Sequence, residues 1–210
     1  LCRDIRNDAL AAEIMAAMSH HAAFHRSADS AVDMALAAQQ TASRTGLAAL
    51  RSEAAVLHAG GLALQGDARA CIVALQRAEK EFMAVRPNES PPWLRYYDEA
   101  YLSAKFAHAL RDLGRPADAE RFARRSLEMS EGYERGRLFN TALLASILAD
   151  QGKVDEATTY AALAVQMGRN MRSTRTVAYL RDTGQHLLPY RKNPAVQRVH
   201  HQMKAAGIAL

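Results

Sequence analysis

Cysteine is nearly missing from this chain: Cys2 and Cys71 are the two in 210 residues, and no CxxC spacing is present. A disulfide framework is therefore excluded, and a reducing, cytoplasmic compartment is expected. No apolar run approaches the roughly 18 residues of a membrane span, and no basic-then-apolar leader opens the sequence, so no membrane contact is expected. Catalytic signatures are missing too. There is no P-loop, no GxSxG and no distinctive pair of carboxylates, so neither enzyme activity nor a cofactor is expected. Aromatic residues make up only 6% of the chain. Alanine, leucine, arginine and glutamate fill their place, a composition that favours helices in close contact and an all-α fold.

What is present is a repeated phrase. "GDARACIVALQRAEKEF" from Gly66, "GRPADAERFARRSLEM" from Gly114 and "GKVDEATTYAALAVQM" from Gly152 each follow one apolar-periodic helix and open another. The glycines suit the left-handed residue that ends a helix. Pro116 suits a first helical turn, and Asp67 and Asp155 suit a helix N-terminus. Five residues after each glycine stands Cys71, Ala119 or Ala157, the expected point of closest approach. Leu75, Ala123 and Ala161 follow, then Ala78, Ser126 and Ala164, completing one inward face. A degenerate copy places Ala31, Ala35 and Ala38 at the same spacing, with Arg26 in the glycine's position.

Four helical hairpins of this kind resemble tetratricopeptide repeats over about residues 9 to 168. The resemblance implies a right-handed α-α superhelix, with residues 169–210 as C-terminal capping helices of the same solenoid. The tryptophan and tyrosine typical of the first helix are absent, Ser103 and Leu110 standing there in the third repeat. The periods also exceed the usual 34 residues. Longer helices and a loop, "RPNESPPW", take up the excess, with Ser90 expected as an N-cap and Pro91 in the first turn. After the repeats, "MRSTRTVAYLRDTGQHLLPY" reads as a helix, and "NPAVQRVHHQMKAA" as another capped by Asn193 with Pro194 first.

The order from "PPWLRYYDEAYLSAKFAHALRDLGRPADAERFARRSLEM" to "MRSTRTVAYLRDTGQHLLPYR" resembles the sensor region of actinobacterial transcriptional regulators, which carry a helix-turn-helix ahead of tetratricopeptide-like repeats. By that resemblance the chain senses a ligand, binds a peptide or partner protein, or pairs with a second copy of itself. DNA would be met only through a domain N-terminal to Leu1. "LCRDIRNDALAAE" reads as one helix running into another, in keeping with such a preceding segment. The reading from a different class is a scaffold or adaptor without DNA binding. The charge of +5 sits at the C-terminal end, where Arg169, Arg172, Arg175, Arg181, Arg191, Lys192, Arg198 and Lys204 face Asp182 alone. That end can meet phosphate or an acidic surface.

Tyr97, Tyr101, Lys105, His108 and Arg111 recur at helical spacing on the third repeat's first helix, which makes them the candidate binding stripe. In such repeats the first helices line the concave groove, where Phe139 and Asn140 of the next repeat would join. Tyrosine supplies area with a hydrogen-bonding tip, and the cations can hold a carboxylate. His21 and His25 stand at metal-compatible spacing beside His20, but no cysteine or acid completes a ligand set, so no metal is expected.

Overall fold

The computed structural model describes residues 7–86, 90–169, 171 and 173–209. The expected helical run into Leu1–Arg6, the middle of the "RPNESPPW" loop and Arg172 lie outside the described residues. Among the described residues there are ten α-helices and no strand: α1 (Asp8–Phe24), α2 (Ala28–Ala42), α3 (Ala48–Gln65), α4 (Ala68–Phe82), α5 (Glu99–Asp112), α6 (Pro116–Arg125), α7 (Glu134–Asp150), α8 (Val154–Gly168), α9 (Thr174–Leu187) and α10 (Pro194–Ala205). The all-α, tetratricopeptide-like reading holds.

Glycine ends the helices at the expected places. Gly66, Gly114 and Gly152 take φ of +79°, +69° and +73°, a conformation glycine adopts without steric cost. Arg26, in the glycine's position of the degenerate copy, turns the same way at φ +59°. The Asp67 carboxylate caps α4 by accepting the Ala70 N–H.

The helices fall into two compact units, Leu1–Gly114 and Arg115–Leu210. In the first, α1 pairs with α2 and α3 with α4, while α3 also packs on α1, α2 and α5. Ala31, Ala35, Ala38, Cys71 and Ala78 expose no surface, as the repeat spacing requires. At Gly61 the approach of α2 is closer than any side chain allows, since a Cβ there would stand 2.9 Å from the Val32 backbone nitrogen.

In the second unit α7 is the central helix, with Leu138, Leu144, Ile147 and Leu148 wholly buried. Each such side chain contributes about 1.5 to 3 kcal/mol. α8 folds back on α7, α6 and α9 pack along it, and α10 closes on α8 and α9. Ala119, Ala123 and Ser126, and Ala157, Ala161 and Ala164, expose no surface, as the repeat spacing requires. Asn193 caps α10 by accepting the Ala195 N–H, and Pro194 opens the helix.

One long helix expected from the sequence is divided. "WLRYYDEAYLSAKFAHALRDL" begins as a 3-10 turn at Pro92–Leu94, and α5 starts only at Glu99. Pro91 is extended, with φ −62° and ψ 154°, and it rather than Ser90 precedes the turn. A residue followed by proline is steered toward extended backbone, which keeps helix from propagating out of the Pro91–Pro92 pair. Asp98 then caps α5 by accepting the Tyr101 N–H at 2.8 Å.

Candidate functional site

The first unit presents a polar inner face on α1, α3 and α5, and its centre is acidic. Glu13 of α1 and Glu53 of α3 meet at Tyr96, which precedes α5. The Tyr96 hydroxyl lies 2.6 Å from Glu13 Oε1 and 2.9 Å from both oxygens of Glu53. A phenol has one hydrogen to donate, so the two carboxyls cannot both be satisfied as acceptors. The second contact requires a carboxylic acid whose own O–H donates. Glu53 is the residue that supplies it. It is only 2% exposed. Burial, the Glu13 charge beside it and a hydrogen bond with Glu13 outweigh the hydroxyls that favour its charged form, and push its carboxyl up to about 8. Tyr101 adds a fourth group, its hydroxyl donating to Glu53 Oε1 at 3.1 Å. Burial first, then the Glu53 charge, hold the phenols of Tyr96 and Tyr101 well above their usual range.

Lys105, one turn beyond Tyr101, reaches to α1. Its Nζ lies 2.8 Å from His20 Nε2 and 5.0 Å from the centre of the Tyr101 ring. An ammonium can only donate, so His20 accepts at Nε2 and carries its own proton at Nδ1. Beyond it, the exposed Arg26 guanidinium lies 3.0 Å from Asp112 Oδ1. Side chains from α1 and the turn after it, and from α5 and the turn before it, thus meet at three levels: Tyr96 with Glu13, Lys105 with His20, and Arg26 with Asp112. On α3, Gly60 lies two turns along the face from Glu53, and the space where its Cβ would stand is open.

Of the six candidate residues, Tyr101, Lys105, His108 and Arg111 share the partly exposed face of α5. Tyr97 does not join them. It lies outside α5, is 5% exposed, and donates to Ser52 Oγ at 2.6 Å, while Ser52 donates to the Ala78 carbonyl. It is a core residue seating the turn on α3 and α4. Its four-residue step to Tyr101 is not helical, because the chain between them is the Asp98 cap. Asn140 belongs to the second unit, where it is 7% exposed and its Nδ2 donates to the Ser126 carbonyl. It tethers α7 to the end of α6 rather than facing a groove. Phe139 stacks on Tyr179 at 4.4 Å, with Arg175 over its ring.

Glu13, Glu53 and Tyr96 were not among the sequence candidates, and His20 was considered there only beside His21 and His25 for metal binding. A glutamate within the small and apolar run "LAALRSEAAVLHAGG" was the available signal for Glu53. Glu13 and Tyr96 had none, since their meeting depends on a turn of irregular backbone. Among the described residues, no three His, Cys, Asp or Glu side chains converge as metal ligands. No helix among them is long and apolar enough to cross a membrane.

Residues 104–131, most of α5 and all of α6, match the family model of the tetratricopeptide repeat. Neither a curated protein nor a solved structure matches the chain. Repeats of this type are helical modules for protein interaction and are typically not catalytic.

Proposed function

We propose that the chain is the ligand-sensing or partner-binding region of a bacterial, cytoplasmic transcriptional regulator of the actinobacterial kind it resembles. It binds without transforming what it binds. Residues 1–168 act as the repeats and 169–210 as their cap, and DNA is met through a separate helix-turn-helix. The inner face of the first unit receives an anionic group, from a peptide, a small molecule or a second copy of the chain. One observation carries this reading: the Lys105 ammonium, on the partly exposed face of α5, reaches His20 of α1 at 2.8 Å. A carboxylate there gains a charge-assisted hydrogen bond from Lys105 and contact with Tyr101 and His108, while Arg111 stands one turn on.

The test is a thermal-shift screen of acidic peptides and small acids, followed by titration of the best one. Lys105→Ala is expected to weaken that binding by about 1 to 3 kcal/mol and to leave thermal unfolding nearly unchanged. Unchanged affinity would move the site off α5. The coding region upstream of Leu1 tests the regulator part: a helix-turn-helix supports it, and a gene without one makes the chain an adaptor.

A further inference from the structure

The first unit carries a second concavity, on different residues. A cleft of about 400 Å³ lies between α2 and α4, with His58 and Leu62 of α3 between them. It shares no lining residue with the carboxyl pair or the Lys105 bridge.

Its deepest polar group is unsatisfied. Gln39 of α2 is 8% exposed, and its Nε2 is buried with no hydrogen-bond partner among the described residues. An amide nitrogen has two hydrogens to give and nothing to accept with, so it needs an acceptor, and buried donors of this kind are nearly always satisfied. Cations border the same cleft. Arg69 and Arg77 of α4 are exposed there, and neither has a carboxylate partner among the described residues. Asp67, the one acid in the lining, is occupied as the cap of α4. His58 is held below the usual imidazole range by burial and by Arg77. The rest of the lining is apolar. Leu36 and Val73 are 40% and 60% exposed at the edges, and Leu62 lies beneath.

A donor without an acceptor and two unpaired cations ask for an anion, and the apolar walls ask for one with a hydrocarbon body. We propose that this cleft binds a small organic acid, its carboxylate held by the Gln39 amide and the Arg77 guanidinium and its aliphatic part lying on Leu36, Leu62 and Val73. The size suits a compact ligand, at the lower end of the range for small-molecule sites. Bare phosphate would meet the donors and leave the apolar walls uncovered.

The probes are straight-chain alkanoates from acetate to octanoate, titrated calorimetrically into the chain. Affinity should climb with length, by up to about fourfold for each methylene that becomes fully buried. Arg77→Ala, an exposed position whose loss spares the core, should weaken octanoate binding by about tenfold or more. Gln39→Leu should weaken it in the same direction, with melting curves confirming the fold. Lys105→Ala should leave it unchanged, which separates this site from the inner face. The proposal is overturned if no alkanoate binds saturably by about 10 mM. Inorganic phosphate binding as well as octanoate, or octanoate binding equally well to Arg77→Ala, would overturn it too.

Discussion

Replacing Glu53 by glutamine removes the acid that the Tyr96 geometry demands while keeping a donor in its place. In the folded chain this carboxyl holds its proton up to about pH 8. In the unfolded chain it loses the proton near its ordinary value of 4.5. Between those limits the folded state binds the extra proton, so stability falls as pH rises, by at most about 1.4 kcal/mol per pH unit. From about pH 5.5 to 7.5 the folded carboxyl stays mostly protonated, and the loss comes to about 2 to 3 kcal/mol. Glutamine does not titrate. Its amide N–H takes the place of the acid O–H toward Tyr96 or Glu13, and its carbonyl still accepts from a tyrosine. The variant should therefore lie close to wild type at the acid end of this window and be more stable at the alkaline end. Urea unfolding followed by circular dichroism at both pH values reads the difference directly. Parallel pH dependence in the two proteins would refute the shared proton and with it the assignment of Glu53 as the acid.

Two adjacent glycines in α3 should respond in opposite ways. Gly61→Ala places a Cβ against the Val32 backbone and should cost about 1 to 3 kcal/mol by overpacking, whereas Gly60→Ala enters open space and should be neutral or stabilising by up to about 1 kcal/mol; chemical denaturation of both variants checks the pair. In the second unit, hydrogen bonds to Asp150 and then Asp182 raise His186 to about 9. Because the folded value lies above the free one, its stabilisation is complete below pH 6.5 and disappears as pH rises through 9, so His186→Gln should be weaker than wild type by about 1 to 2 kcal/mol at pH 6 and match it near pH 10 in urea titrations.

The repeat was legible because close packing of helices leaves a mark at fixed intervals. Where two backbones approach, only a small side chain fits, and a left-handed turn is most easily made by glycine. Ala119, Ala157 and Gly66 therefore report their surroundings from sequence alone. The candidate stripe was only partly legible, and the reason is the turn before α5. Helical spacing placed Tyr97 with Tyr101, but the Pro91–Pro92 pair and the Asp98 cap interrupt the helix between them. One consequence is that Tyr97 goes into the core, bonded to Ser52, while Tyr96 swings to the carboxyl pair.

Periodicity could not reveal Glu13 and Glu53 as partners, because they are forty residues apart on different hairpins and neither belongs to a spacing rule. The cost of burying Glu53 is local and electrostatic, and it is met by groups that arrive from three separate segments. This is also why the inner face differs from the open groove its helices would suggest. Tyr96 and Lys105 already contact Glu13 and His20 of α1, so a ligand entering there exchanges contacts rather than adding them to an empty surface. Binding at Lys105 must then be weighed against the His20 contact it displaces, and the Lys105→Ala measurement reads that difference. The strength of an anion at this face is set by how much better it is than an imidazole at accepting from one ammonium group.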